Sequence, residues 1–430
     1  MYNDNIELLK FVHFHNLDVD KNKTSFFHNL DNDELIIDLY LNRRIIECPY
    51  CNSTKTVIKE TRIKKINHCI IPDKLITINF HQKKFTCKEC NHNFLESNPI
   101  GEGISNIAIV EIINSLRNPR KTFSDVAKER FTSFSNVLNQ FDKHVKLSRH
   151  PLSKVICFDE IYAKKLTKTK YSFCIYNPFK NQLIDLLDAR RKNVLKEYFM
   201  SIPLKERLEV THVNIDMWQT YLDIVEDYLP NATVCVDSFH VIEHLNRAID
   251  SIRLKIQRKY IEYKDSSRRD NYWLLKTFHY YFTSNFDNII YVRKPKSHYG
   301  YLVDKFAVLN ELLKIDQDLK EAYQLKSEYQ EFNLTEEYSP DSIEKINDFI
   351  ERFKSSKFDE FREFGNLLSR WKIYIANSFI RINGKRLSNG PMESLNGRLK
   401  RLISDGYGYK DFGRFRNRAM FCLNKNEPIK

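Results

Sequence analysis

Two pairs of cysteines carry the first chemistry in the sequence. Cys48-Pro49-Tyr50-Cys51 and Cys87-Lys88-Glu89-Cys90 each set two thiols either side of two residues, a spacing that lets both sulfurs turn toward one tetrahedral ion. Together Cys48, Cys51, Cys87 and Cys90 predict a structural Zn2+. The 35 residues between the pairs exceed the usual finger separation, but two added β-strands would close the gap and return the second pair to the first, as in a zinc ribbon. His68, Cys69 and His92 lie nearby as competing ligands or as ordinary loop and surface residues. Cys157, Cys174, Cys235 and Cys422 sit in apolar runs and read as small core residues.

Carboxylates carry the second chemistry. Asp159 ends the apolar run Val155-Ile156-Cys157-Phe158, and Asp216 ends Val213-Asn214-Ile215 in the same manner. Glu393 follows much later, on a helix that Ser388 or Asn389 can cap and that has Pro391 near its first turn. Metal-assisted phosphoryl transfer needs two divalent ions roughly 4 Å apart, held by carboxylates that converge from different strands. Taken singly, a strand-end Asp is a common turn former. Asp237-Ser238-Phe239-His240 ends the next strand and is a second acidic candidate, so Asp237 competes with Asp216 for the middle position. His240, one helical turn on, suits a general base, a phosphate contact or a structural role. Glu160 should point away from Asp159, because successive strand side chains alternate faces.

These groups need a frame. From Lys154 the text alternates KVICFDE, YSFCIY, QLIDLLD, a helical NVLKEYFMSI, VTHVNID, the helical MWQTYLDIVEDYL and ATVCVD. That order is β-β-β-α-β-α-β. If its first and fourth strands are neighbours in a mixed sheet, Asp159 and Asp216 meet at one edge, where open α/β sheets place their ligands. This topology favours Asp216, which ends the fourth strand, over Asp237, which ends the fifth. Residues 241–372 hold long, charged, aromatic-rich helical patterns and read as an all-helical insertion.

Ahead of the sheet, residues 104–147 change to helical period. Phe123, Val126 and Ala127 share one face, Phe131 begins a short connection, and a second helix starts at Ser133 or Ser135 with Val137, Leu138 and Phe141 inward. Helix, brief turn, helix is the shape that lays its second helix in a major groove, and generic three-helix packing also fits it. Ser133, Ser135, Asn136, Asn139 and Gln140 would face bases, although serine and asparagine are also routine caps.

The expected architecture is therefore multidomain α+β / α/β. It comprises a leader at 1–45, a zinc ribbon at 46–98, a helix-turn-helix at 99–149, and a mixed sheet at 150–244 interrupted by a helical insertion at 245–380. The end of the sheet domain, with its Glu, follows at 381–430.

The chain has 69 Lys and Arg against 56 Asp and Glu, a formal charge of +13, which points to a polyanionic partner. The charge is clustered: residues 251–300 hold eleven basic and four acidic side chains, and 381–418 hold ten and three. Arg398, Lys400, Arg401, Arg414, Arg416 and Arg418 are candidates for phosphate contacts or solvated surface charges. Trp273 and the aromatics of 278–282 could stack on a displaced base, or, at helical spacing, fill a core. No basic region followed by an unbroken apolar segment opens the chain, and no stretch nears eighteen apolar residues, so a cytoplasmic protein away from membranes is expected. Four of the nine cysteines form the two pairs, which in a reducing compartment read as metal ligands rather than disulfides.

These residues resemble one family over nearly the whole chain, the ISL-three family of bacterial insertion-sequence transposases. The resemblance rests on the cysteine ribbon, FSDVAKERFTSFSNV, Phe158-Asp159-Glu160, Asn214-Ile215-Asp216-Met217, and Leu229 to Ala232 leading into Val236-Asp237-Ser238-Phe239-His240-Val241. It rests also on Asn389-Gly390-Pro391-Met392-Glu393-Ser394-Leu395-Asn396. It implies a ribonuclease H-like domain whose DDE triad Asp159, Asp216 and Glu393 binds two Mg2+ or Mn2+, with Asp237 and His240 as an accessory D-x-x-H signature. It further implies cleavage at the ends of a double-stranded element, joining of the 3′ hydroxyls to target DNA, nucleoid association when bound, and a homodimer holding two ends. Ser238 stands where an arginine is common in the family. The competing readings are a non-catalytic DNA-binding regulator and a metal-dependent nuclease without strand transfer.

Overall fold

Residues 75–82 alternate between half-buried and buried side chains through Ile76, Ile78 and Phe80, the signature of a strand with one face on a core. In the computed structural model, which describes residues 2–42, 46–164, 166–167, 169–261, 266–285, 304–406 and 409–429, that strand is the centre of the first sheet. After helix α1 (Tyr2–Phe11), β1 (Ser25–Asn29) and β2 (Glu34–Leu39) form a hairpin. β2 then runs parallel to β4 (Leu75–Cys87), and β3 (Thr56–Asn67) and β5 (Asn93–Leu95) pair antiparallel with β4. Residues 1–42 are thus no detached leader: Ile37 and Leu39 are fully buried in the same cluster as Ile78 and Phe80. The expected extra strands between the cysteine pairs are β3 and β4.

Three capped helices follow: α2 (Asn106–Ser115), α3 (Phe123–Glu129) and α4 (Phe134–His144). Ser105 and Ser133 accept from backbone N–H groups of the helices they open, and Thr122 with Asp125 forms a reciprocal capping box. Phe123 meets Phe141 edge-on at 5.3 Å, packing α3 against α4.

The chain divides into two compact units, and the first takes residues 1–149 together with 398–430. The expected assignment of the whole of 381–430 to the sheet domain is therefore corrected. The physical reason is the apolar face of the last helix, where Phe415, Ala419, Met420 and Phe421 are buried, with Phe421 edge-on to Phe141 at 6.1 Å.

The second unit, residues 150–397, is built on β6 (Val155–Tyr162), β7 (Tyr171–Asn177), β8 (Gln182–Leu187), α5 (Lys192–Ser201), α6 (Leu204–Leu208), β9 (His212–Ile215), α7 (Gln219–Tyr228) and β10 (Thr233–Val236). The sheet order is β10-β9-β6-β7-β8, with β6, β9 and β10 parallel to one another and β7 antiparallel to both its neighbours. The first and fourth strands of this sheet are adjacent, which meets the condition for Asp159 and Asp216 to share an edge. Val155–Phe158 are all buried, as expected of a central strand covered on both faces.

Helices then occupy the described part of the insertion: α8 (Ser238–Arg258), α9 (Ser266–Thr277), α10 (Tyr280–Thr283), α11 (Lys305–Lys314), α12 (Gln317–Thr335), α13 (Ser342–Lys354) and α14 (Asp359–Asn377). The part of the basic 251–300 stretch from 286 onward lies outside the described residues. α14 returns the chain to the sheet, where Asn377 donates to the Val234 carbonyl at 2.9 Å. The short hairpin β11 (Arg381–Ile382) and β12 (Lys385–Arg386) leads to α15 (Gly390–Asp405), and the unit boundary falls within that helix. The last helix of the chain is α16 (Phe412–Leu423). Among the described residues no helix is long and apolar enough to cross a membrane.

Phe353 is fully buried and meets Tyr329, Phe361 and Phe364 edge-on at 4.9–5.8 Å. Phe353→Ala is expected to destabilise the second unit by about 3–5 kcal/mol, read from its urea midpoint. A shift worth less than about 1 kcal/mol would show that this cluster does not hold the insertion together.

Candidate active site

The parallel strands β6, β9 and β10 end at one edge of the second sheet. Asp159 lies within β6, just beyond the part paired with β9, rather than at the strand's end; Asp216 follows β9, and Asp237 follows β10 as the N-cap residue of α8. Apolar burial of each strand fixes its last side chains at the edge, so carboxylates distant in sequence converge. Burial, reinforced by the negative charge of Asp216, pushes the Asp159 carboxyl up to about 7, and burial also raises Asp237. Like charges about 4 Å apart near a protein surface repel by about 4 kcal/mol, so the edge needs compensation.

His240 supplies part of it. Its Nε2 lies 2.9 Å from Asp216 Oδ1 and 3.9 Å from Asp237 Oδ2, and its Nδ1 lies 3.4 Å from Glu243 Oε2. Burial opposes the imidazolium, but the Asp216 hydrogen bond and charge, with Asp237 and Asp159 behind it, outweigh burial and push it up to about 9. Asp216, Asp237 and His240 form a set whose ligand atoms all lie within 4.8 Å of one another. Asp159 and Glu393 are outside that tight set.

α15 brings the remaining groups. Asn389, immediately before it, donates from Nδ2 to Asp216 Oδ1 at 3.1 Å and from its backbone N–H to Asp237 Oδ1 at 3.3 Å, and its Oδ1 accepts from Asn214 Nδ2 at 2.7 Å. Seven residues on, Asn396 Nδ2 donates to Asp159 Oδ2 at 2.7 Å. Positions separated by three and four residues share one helix face, so Glu393 sits on the helix stripe between the two asparagines. Its side chain is exposed. The sequence reading saw Asn389 only as a cap and assigned nothing to Asn396 or Asn214. The seven-residue interval, two helical turns centred on Glu393, was the available signal.

Carboxylate oxygens facing one imidazolium fit hard divalent cations such as Mg2+ or Mn2+. The buried Asn214 Oδ1 and Asn396 Oδ1 also have no hydrogen-bond partner, leaving acceptors uncommitted beside the acids. Glu160 points the other way, as strand alternation predicts, and pairs with Arg190 and, at 2.8 Å, with the Tyr221 hydroxyl.

The cysteines gather in the first unit. Cys48 Sγ lies 3.5 Å from Cys90 Sγ and Cys51 Sγ 3.6 Å from Cys87 Sγ, with all four sulfurs within 4.8 Å of one another. A tetrahedral ion with bonds of about 2.3 Å needs sulfur separations of about 3.8 Å, so the cluster fits zinc. Each knuckle closes the same way: Asn52 and Asn91 adopt positive φ and donate from their N–H groups to the carbonyls of Cys48 and Cys87. The competing ligands are otherwise engaged. Buried His68 contacts Ser105 Oγ at 2.7 Å and the Val12 carbonyl at 3.1 Å, Cys69 is packed against Ile76, and His92 stacks on Tyr50 at 4.5 Å.

On α4, Ser135 and Asn139 are exposed, Ser133 caps the helix, and Asn136 and Gln140 bond to Thr132 and to each other. Among the basic candidates, Lys400 and Arg401 are exposed and Arg398 is half-buried. Arg414 forms a bidentate pair with Asp142 at 2.5–3.1 Å, and Arg416 donates to the Leu147 carbonyl. Arg418 is 1% exposed and donates to the Asn118 and Lys121 carbonyls. The expectation of a phosphate contact there is corrected, because its guanidinium holds the turn between α2 and α3. Trp273 is 43% exposed with Lys276 over its ring, whereas Phe278, Tyr281 and Phe282 are core.

The folded-state value of His240, raised from 6.5 to about 9, gives stability that is complete below pH 6.5 and lost as pH rises through 9. Asp159, raised from 3.8 to about 7, acts in the same direction between those two values. Zinc-loaded protein without Mg2+ should therefore melt lower at pH 9 than at pH 6.5, and His240→Gln should flatten that interval in calorimetry. Identical pH slopes in both proteins would contradict the His240 pairing. For the thiol cluster, native mass spectrometry should find one zinc per wild-type chain and none in Cys87→Ser, and retention by the variant would disprove the four-sulfur site.

Residues 156–419 match the family model for DDE transposases of the ISL3 type, described as transposase. The transposase for insertion sequence element IS1001 of Bordetella parapertussis is 20% identical over 384 residues, covering 87% of this chain and 88% of that protein. Since the family match spans more than half of its length and contains the acidic edge, the chain belongs to the ISL3 family of insertion-sequence transposases.

Proposed function

We propose that the protein binds the terminal inverted repeats of an insertion sequence, cleaves at the element ends and joins the freed 3′ hydroxyls to target DNA. Asp159, Asp216 and Glu393 are the metal-holding acids in this reading. The observation that carries it is the clamp of α15: Asn389 on Asp216, Asn396 on Asp159, and Glu393 on the helix stripe between them. The strand order β10-β9-β6-β7-β8 supports a ribonuclease H-like frame for these acids.

Bound among these carboxylates, two Mg2+ or Mn2+ ions would supply activation of the attacking oxygen and stabilisation of the leaving oxygen. The chain's own groups have distinct parts. Asp216 lies between Asp159 and His240 in the web of contacts, which favours it over Asp237 as the middle acid. Asp237, 1% exposed, positions His240 and the Asn389 backbone. His240, charged at neutral pH, suits a contact to a phosphate oxygen better than a general base. Asn389 and Asn396 orient carboxylates through hydrogen bonds.

The first unit would read the repeat. α4 is the candidate major-groove helix, with Ser135 and Asn139 its most exposed polar groups, and the zinc cluster would fix the adjoining sheet. Arg398, Lys400 and Arg401 are the better phosphate candidates within the basic tract. Trp273, exposed on the insertion, remains available for stacking on a displaced base. Holding two ends in one complex favours a homodimer.

Incubating labelled terminal-repeat duplex with Mg2+ tests this. Asp159→Asn, Asp216→Asn and Glu393→Gln are each expected to lower cleavage by at least about 10³-fold while retaining end binding. Full activity in Asp216→Asn with none in Asp237→Asn would transfer the middle position to Asp237. Cleavage by wild type without joined products would leave a nuclease.

A further inference from the structure

A second polar feature lies at the same sheet edge, on the face opposite Asp159. Thr169, Lys170, Arg190, Arg191 and Trp218 line an open recess of about 360 Å³. Its walls come from the start of β7, the chain after β8 and the chain after β9. Tyr162 pairs with Tyr171 and Phe173 with Leu187, so the start of β7 and the end of β8 stand at the edge where β6 and β9 end. Trp218 is two residues beyond Asp216, and its N–H donates to the Asp216 carbonyl at 2.6 Å. The recess therefore continues the acidic edge sideways.

Its chemistry is the reverse of the acidic cluster. The Arg190 guanidinium lies over the rings of Tyr171 at 4.2 Å and Trp218 at 4.6 Å, and Glu160 engages one side of it. Lys170 and Arg191 are exposed, and among the described residues neither side chain pairs with a carboxylate. Among the described residues of the connection before β7, Lys164 and Lys170 are exposed cations and none is acidic. Arg191 and Trp218 are also the N-cap residues of α5 and α7, and neither helix has a side-chain cap or an acid in its first turn. Both helix starts thus add positive potential to the cations.

We propose that this recess is a phosphodiester subsite, holding a backbone phosphate of the DNA strand beyond the scissile position as it crosses the sheet edge. Lys170 and Arg191 supply charge, and Arg190, fixed by two rings and Glu160, supplies a rigid fork suited to phosphate oxygens. The inference rests on the reading that DNA is cut at this edge. Its consequence is that contact with the strand does not end at the acids but extends toward β7 and β8.

The test compares wild type with the double variant Lys170→Ala/Arg191→Ala on terminal-repeat duplex that includes flanking DNA. Both substitutions are at exposed positions, and unchanged melting and zinc content verify the fold. The magnitude of the slope of log affinity against log salt should fall by about two. Neutral methylphosphonates, placed singly along the strand, should weaken wild-type binding at one or two positions beyond the cut and weaken the variant, which keeps Arg190, clearly less there. An unchanged slope and the same methylphosphonate footprint in both proteins would overturn the subsite, even if wild type cleaves. Wild-type protein that binds with the expected slope but never cleaves would remove the catalytic reading and leave the subsite standing. Competition by inorganic phosphate with no methylphosphonate effect would assign the recess to a free anion and also overturn the proposal.

Discussion

Carboxylates forced together at a sheet edge dominate the second unit, because their mutual repulsion must be met by whatever else arrives there. Asp159, Asp216 and Asp237 are delivered by strands whose positions are set by apolar burial, and no local rearrangement can separate them without unpacking the core. A hydrogen bond from an amide to a carboxylate offsets part of the cost, and an ion pair offsets more. Asn389, Asn396 and His240 do this from three separate places in the chain.

The long helical insertion follows from the same requirement. Between Asp237 and Asn389 the chain leaves the sheet and must come back to within hydrogen-bond distance of the residue where it left. α14 accomplishes the return: Asn377 donates to Val234, its carbonyl accepts from the Cys235 thiol, and Leu387 packs with Val155 and Cys235. Only then is α15 in register to set Asn389 against Asp216 and Asn396 against Asp159. The aromatic packing within the insertion therefore bears on the site through the position of that return.

What was legible in the sequence was local. The buried run of β6, the helix start at Ser133 and the cysteine knuckles each carry their pattern within a dozen residues. The order of elements left the adjacency of β6 and β9 as a condition, which the pairing of the two strands meets. What escaped depends on pairing across distance. Residues 34–39 look too short and isolated to be a strand until β4 lies beside them, and nothing local shows that Arg418 would be buried beneath carbonyls of Asn118 and Lys121. Asn396 reads as an ordinary helix residue because its partner, Asp159, is 237 positions away.

His240 shows how the environment chooses among roles that composition leaves open. An imidazole beside a single carboxylate could serve as a base, but this one faces Asp216, Asp237 and Glu243 together, and their field holds its proton above neutral pH. A base must be free of its proton to accept one, and in the metal-free protein these acids keep His240 protonated at neutral pH. A cation fixed beside metal-binding oxygens can instead approach an anionic substrate that the carboxylates alone would repel. In the proposed reading the acidic edge and the basic recess near Trp218 would address complementary needs: one would gather positive ions, and the other would accept the strand lying against them.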